Sequence, residues 1–478
     1  MSRLLTTRIP ASLRACRPPV SPRWTTVALG IVTIALAAGW APWVALVAIG
    51  VPVAVACYRR PQRGVLIFAA LLPFDGLRPV LGLPSFVDGW KQATVLTLLG
   101  LTFVCPVAAR AGIRRRLPPW WPAFAGLLAV GLVSAARGWG TNAALGLRIT
   151  FFEALIALVI WRCPLNRRER DAFVTIFVVM AFVTSLVGLW QQVVGHEALR
   201  NLGYEYDEAI RFTSGFRLRS FGTFNQPFPF ALYLMLAVLL AVPFALAEPR
   251  RLRSRLFVLG LPVITAALVL TFVRAAYLGL AVGLLYLAFH RYKLLVYGIP
   301  LALVAFGFLP TGTTFTEAVF QRQSLQERTT GWSDRLDQLV EHPLGIGIGE
   351  TGAAAEKAAE LENLDPGLQY QPDNAYLKVA FELGIPGLWF FLLMLGSMFL
   401  FSRAVERRVA DPDRHFAAGA TAQLLGLLVA GLVATIFEMI PVIQLFWITA
   451  GIVATLAPRP VDGTPVPGPA TPAGLSAA

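Results

Sequence analysis

ERTTGWSDRLDQLVEHPLGIGIGETG, from Glu327 to Gly352, and QPDNAYLKVAFELGIPGL, from Gln371 to Leu388, belong to one long polar stretch, roughly Pro310 to Leu383. On either side of it, hydrophobic segments follow each other with little room to spare. Chemistry in water has few other places to happen in this chain. The side of a membrane that this loop faces, and the purpose of its arginines, decide the reading.

With 478 residues, 56% hydrophobic, 14% charged and a mean hydropathy of +0.64, the chain is too apolar for a soluble globular protein. The composition predicts an all-α, polytopic transmembrane helix bundle. A bilayer core takes about 20 helical residues, fewer where Gly and Pro shorten a span. On that measure about fourteen spans are expected, near 25–40, 42–57, 64–74, 92–108, 119–136, 144–161, 172–194, 228–246, 256–272, 276–289, 294–309, 384–401, 416–435 and 439–457. The expected layout is a cytoplasmic tail at 1–24, then spans one to eleven over 25–309 with an outer loop at 195–227. A large helical loop at 310–383, spans twelve to fourteen at 384–457 and a disordered Pro/Gly/Ala tail at 458–478 complete it. The first residues are basic but lack the apolar core and cleavage site of a secretory signal. The four cysteines imply neither a disulfide framework nor a metal site.

The net charge of +14 does not form the single patch that nucleic acid would require, so no nucleic-acid partner is expected. Basic residues cluster instead in YRRPQR, RAGIRRR, RCPLNRRER, EPRRLRSR, HRYK, SRAVERRVADPDR and the two tails. These segments alternate with acid-richer ones through all the expected spans, which places both termini in the cytoplasm and the large loop outside it.

Arginines on the outer side break that bias. Arg217 and Arg219 precede FGTFNQPFPFALYL, Arg274 sits in the tight turn of TFVRAAYLG, and Arg322, Arg328 and Arg335 belong to the large loop. A guanidinium stays charged at working pH and fits phosphate oxygens with a planar fork of donors. Several converging at one membrane face would suit a lipid-linked diphosphate. The plainer alternative for each is snorkelling to membrane lipid headgroups or pairing with a loop carboxylate. Arg274 is the exception, because so short a turn holds it near membrane depth, where an unpaired charge costs several kcal/mol.

Asp373 in PDNAYL has two readings, a general base at an acceptor hydroxyl or the N-cap of the helix that follows. Trp332, His342, Asn374 and Tyr376 are assigned to the loop's structure or to the acceptor site. His342 precedes Pro343 at an expected helix end, and GIGIG (Gly345 to Gly349) reads as a tight turn, since it follows a helix and not a strand. A second loop helix is expected over Thr351 to Asn363. Within the membrane, Arg148 and Glu153 are five apart, so each is expected to find its partner on another helix, and Glu438 lies between the last two spans.

At these residues the sequence resembles the O-antigen ligase and polymerase superfamily of bacterial membrane glycosyltransferases, over roughly Arg217 to Leu388. RSFGTFNQPFPFALYL resembles the family's Arg, Gly-Thr-Phe, Pro-Asn, Ala-x-x-Leu pattern and puts Arg219 at its first functional arginine. TFVRAAYLGL resembles the Ser-Arg-Gly-Ala segment and puts Arg274 at the second. RTTGWSDRLDQLVEHPLGIGIG matches the run of Arg, Trp and His-Pro-Leu-Gly-x-Gly-x-Gly at Arg328, Trp332 and Pro343, and PDNAYLKVAFELGIPGL is similar to the closing His-Asn-x-x-Leu segment. Asp373 stands where ligases have a histidine, Val273 replaces Ser, Ala275 replaces Gly, and Gln226-Pro227 is shifted against the Pro-Asn pair.

The resemblance implies transfer of glycan from undecaprenyl diphosphate to a hydroxyl on a glycan, lipid or protein acceptor, at the outer face of a bacterium's cytoplasmic membrane. Neither cofactor nor metal is implied. Arg217, Arg219, Arg274 and Arg328 would hold the diphosphate, and Asp373 with Arg274 would carry the catalysis. A polysaccharide polymerase is the favoured expectation. A ligase to lipid A core or to protein comes second, and a polysaccharide or lipid transporter third, weakened by the lack of paired repeats.

Overall fold

The computed structural model describes residues 57, 60–82, 88–104, 117–204, 218–296, 339–365, 370 and 372–456. The first expected span, nearly all of the second and most of the eleventh lie outside the described residues, as do both tails and positions 310–338 of the large loop. So do Arg217, Arg328 and Trp332.

The helices described here belong to the body that begins at Arg60. They are α1 (Pro61–Leu71), α2 (Trp90–Val104), α3 (Trp121–Arg137), α4 (Thr141–Phe151), α5 (Leu155–Arg162), α6 (Arg167–Val194) and α7 (His196–Asn201). There follow α8 (Pro227–Ala247), α9 (Leu252–Val269), α10 (Arg274–His290), α11 (Gly352–Leu361), α12 (Ala375–Arg408), α13 (Asp413–Ala430) and α14 (Val442–Leu456). No strand occurs among the described residues, so the architecture is an all-α membrane bundle. Among the described residues, five stretches are long and apolar enough to cross a bilayer: Thr141–Arg162, Arg167–Val194, Pro227–Ala247, Leu252–Val269 and Ala375–Arg408. The 3₁₀ turn Phe152–Ala154 joins α4 to α5 within the first of them.

Local sequence sets several boundaries. Asn166 and Glu169 form a reciprocal capping box at the start of α6, and Pro227 opens α8 where its missing N–H is no loss. α8 is apolar on every face, and a helix of that kind belongs in an interior. In its most apolar window 83% of the residues are buried, against 39% to 50% for the other four long stretches, so α8 is the axis of the bundle. It packs on α6, α9, α10 and α13.

α12 is two helices in one. At Gly384 the backbone leaves the helical region (φ 68°, ψ −167°), a left-handed conformation that glycine adopts without a Cβ penalty. The break removes the bond that Ile385 N–H would have made to the Phe381 carbonyl. Backbone groups freed near membrane depth need new partners, since lipid offers none. The segment Pro343–Gly349 supplies them. Ile385 N–H donates to Pro343 O (3.0 Å), while the carbonyls of Phe381 and Glu382 accept from Ile346 N–H (2.8 Å) and Gly347 N–H (3.2 Å).

On its other side this strap is held by Ser134 of α3, whose hydroxyl accepts from Ile348 N–H at 2.9 Å. The N–H groups of Gly345, Ile346, Gly347 and Ile348 are thus committed to protein, which fits a structural turn. Two of its glycines meet backbone: a Cβ on Gly345 would stand 2.4 Å from Glu382 O, and one on Gly349 2.0 Å from Asn142 O.

Gly349→Ala should therefore lower folding stability by about 2–5 kcal/mol, combining a left-handed residue with an overpacked contact. Gly82→Ala is the matched comparison, because its φ is also positive (61°) but nothing lies within 4 Å. It should lose only about 1–2 kcal/mol. Thermal unfolding of the detergent-solubilised variants measures both, and equal losses would remove the strap contact from the explanation.

Candidate functional site

The two arginines singled out in the sequence are brought together by backbone. Ser220 N–H donates to Leu270 O (2.8 Å), and Arg219 Nε donates to Thr271 O (2.9 Å). The segment entering α8 is thereby stitched to the turn between α9 and α10, and Arg274 is the first residue of α10. Arg219 and Arg274 are close enough for each charge to act on the other. Burial pushes the Arg219 guanidinium down to about 10, with Tyr277 opposing that shift and Arg274 adding to it. It is still charged at neutral pH. The ring of Phe228, 5.2 Å from the guanidinium carbon, gives it a cation–π contact.

The turn that carries Arg274 is strained and heavily tied. Phe272 has φ 54°, a left-handed conformation that costs a bulky residue of order 1–3 kcal/mol. Thr271 Oγ1 donates to Leu268 O (2.6 Å) and accepts from Val273 N–H (3.3 Å), and Tyr277 Oη donates to Val269 O (2.6 Å). The N-terminus of α10 has no side-chain cap. Two guanidiniums and the positive end of a helix dipole therefore meet at one place, an arrangement that attracts an anion.

α10 also sets the position of the arginines relative to Asp373. A Cβ on Gly279 would lie 2.6 Å from Gly426 O, and one on Gly283 would lie 3.0 Å from Ala422 O. The small residues let α10 and α13 touch along an antiparallel seam. Continuing that register by one more turn sets Arg274 level with Gly431. Gly431 is where the start of α12 is anchored, since its carbonyl accepts from Ala375 N–H (2.8 Å), and Tyr376 Oη donates to Leu428 O one turn earlier (2.7 Å).

The capping role left open for Asp373 belongs to its neighbour. Asn374 Oδ1 accepts from Tyr376 N–H (2.8 Å) and Leu377 N–H (3.1 Å), and Asn374 is buried. Asp373 is exposed, one residue before that cap. His342 is also exposed, and its carbonyl accepts from Gly345 N–H at the head of the strap.

Beneath this surface lies a buried ionic cluster. Lys378 Nζ contacts Glu382 Oε1 (2.5 Å) and Glu438 Oε1 (2.8 Å), while Thr351 donates to Glu382 Oε1 through N–H (3.1 Å) and hydroxyl (2.9 Å). Ala353 N–H, in the first turn of α11, donates to Glu438 Oε2 at 3.4 Å. Burial works against the Lys378 charge, and the two carboxylates beside it compensate. Burial raises the pKa of Glu438, against the pull of Lys378. The cluster joins α11, the first half of α12 and the turn before α14. Glu153 finds its partners on other helices, accepting from Gln92 of α2 (3.3 Å) and Gln444 of α14 (2.9 Å).

Sequence reading missed Lys378, Glu382 and Thr271. It also missed Gln191 and Gln192, which end α6 beneath Arg219. Lys378 and Glu382 did carry a signal, their spacing of four along a helix.

Residues 255–392 match the O-Antigen ligase family, a stretch that runs from α9 through the Arg274 turn, the strap and the break in α12. The chain is also 26% identical over 279 residues to the O-antigen polymerase of Salmonella muenchen, covering 54% of this chain and 67% of that protein. Members of this superfamily are glycosyltransferases that act on lipid-linked glycans. With apolar helices long enough to span a bilayer and a family match over its arginine turn and broken helix, the chain is similar to the O-antigen ligase and polymerase superfamily.

Proposed function

We propose that the protein is a polysaccharide polymerase, extending surface glycan from undecaprenyl-diphosphate-linked repeat units at the outer face of a bacterium's cytoplasmic membrane. The observation that carries this reading is the junction of Arg219, Arg274 and the uncapped start of α10. In the proposed reaction, the acceptor hydroxyl oxygen attacks the anomeric carbon of the donor sugar, and the bond from that carbon to the diphosphate oxygen breaks. The leaving diphosphate gains negative charge as the bond opens, and fixed cations aimed at it lower the barrier. They serve where a divalent ion serves elsewhere, which makes the transfer independent of metal. Asp373 takes the hydroxyl proton. Its release from capping duty, through Asn374, supports that role.

The test is elongation by the purified protein, reconstituted with lipid-diphosphate-linked repeat units, in the presence and absence of EDTA. Wild type should lengthen the glycan on its lipid and be indifferent to EDTA. Arg274→Ala should lose about 10²–10³-fold in turnover, the magnitude typical of removing one preorganised charge-stabilising donor. No elongation, but transfer once lipid A core or a protein acceptor is supplied, would make the protein a ligase.

Asp373→Asn keeps the shape and removes the base, and should cost about 10²–10⁴-fold in turnover with little change in donor affinity. Full activity in this variant would end the general-base assignment.

A further inference from the structure

Arg219 lies between two residues whose backbone or side chain is gripped by the end of α6. Gln191 is fully buried. Its Oε1 accepts from Phe221 N–H (3.2 Å) and Gly222 N–H (2.9 Å), and its Nε2 donates to Gly222 O (2.7 Å). Gln192 Nε2 donates to Leu218 O (3.0 Å) and Ser220 Oγ (2.9 Å), and the Ser220 hydroxyl in turn donates to Gly188 O (2.9 Å). The two adjacent amides therefore fix the chain on both sides of Arg219. They hold Gly222 in a left-handed conformation (φ 58°) where a Cβ would meet Thr184 O at 2.9 Å.

A guanidinium that recognises a diphosphate needs its position set before the ligand arrives, because ordering it on binding subtracts from affinity. Arg219 also sits against a like charge, which by itself would drive the two apart. Its side chain has an anchor at Thr271 O, but that bond fixes the arginine only if the backbone at 218–222 is itself fixed. α6 provides the fixed point. The backbone bond from Ser220 N–H to Leu270 O holds one point of the segment, and the two glutamine side chains hold it on either side of Arg219.

We infer that Gln191, assisted by Gln192, is the positioning residue that sets the spacing of the Arg219–Arg274 pair and thereby selects a diphosphate over a monophosphate on the lipid carrier. This rests on the reading of the arginines as the diphosphate site. Gln191 touches no substrate. Its contribution is geometric: a single phosphate can be met by either guanidinium alone, whereas two linked phosphates are met well only at one spacing.

Selectivity separates this role from a merely structural one. Binding of undecaprenyl diphosphate and of undecaprenyl monophosphate is measured on the purified full-length protein, for wild type, Gln191→Leu, Gln192→Leu and Arg219→Ala. Gln191→Leu should lower the preference for diphosphate about ten-fold, the equivalent of one lost hydrogen bond to a charged group. Gln192→Leu, which gives up two bonds at a less buried position, should lower it in the same direction by less and keeps the test open if Gln191→Leu does not fold. A structural role would reduce both affinities together with the folded fraction and leave their ratio unchanged, and that result overturns the inference. If Arg219→Ala loses the preference while both glutamine variants keep it, the inference fails alone. A wild type with no preference overturns the diphosphate reading and this inference with it.

Discussion

The interruption of α12 at Gly384 is the constraint on which this end of the bundle depends. A helix broken near membrane depth exposes an N–H and carbonyls that lipid cannot satisfy, at several kcal/mol each. Here the loss is met by exchange: Pro343 O takes the Ile385 N–H, and Ile346 and Gly347 give theirs to Phe381 and Glu382. The strap and the break thus satisfy each other's backbone groups, with Ser134 bonded to both. This explains why a run of Gly and Ile, featureless as chemistry, is packed so tightly that a methyl group on Gly345 or Gly349 would reach a carbonyl oxygen.

Charge is handled in opposite ways above and below that break. Lys378 is compensated by Glu382 and Glu438, with the first turn of α11 adding the positive end of its dipole to the second carboxylate. Such a cluster is costly to break, because removal of one partner strands the others in a low dielectric. At the arginine pair two like charges are set side by side, with Arg219 anchored to the carbonyl of Thr271. Arg219 is desolvated beside another cation, enough to pull it down toward 10.

Hydropathy made the helices legible, since each described span lies close to an apolar run, and helical propensity found α11 within two residues of its ends. The arginines stood out in the sequence because they break the charge bias expected of the side to which that bias assigns them. What hydropathy could not show was pairing. Asp373 and Asn374 are both competent caps, and only the backbone geometry, with Asn374 extended (φ −151°, ψ 120°) and bonded to Tyr376 and Leu377, assigns the role. Gln191 and Gln192 read in sequence as polar residues at a helix end near the interface. Their partners at 218–222 are about thirty positions away, and their role exists only once α6 and the loop are adjacent. GIGIG likewise gave a turn but not what the turn was against.

The seam between α10 and α13 relates the arginine turn to the start of α12, two segments that stand on different parts of the chain. Cations come from the start of α10 and the loop before α8, and the carboxylate from the start of α12. α13 is the ruler between them: Gly279 against Gly426 and Gly283 against Ala422 fix its register with α10, and Gly431 and Leu428 fix it to Ala375 and Tyr376. Larger side chains at the seam would tilt or slide α10 and move Arg274 relative to Asp373, with neither residue changed. Small residues in a membrane helix contact are usually explained by close packing alone. In this protein the close packing also carries a register, from the start of α10 at Arg274 to the start of α12 beside Asp373.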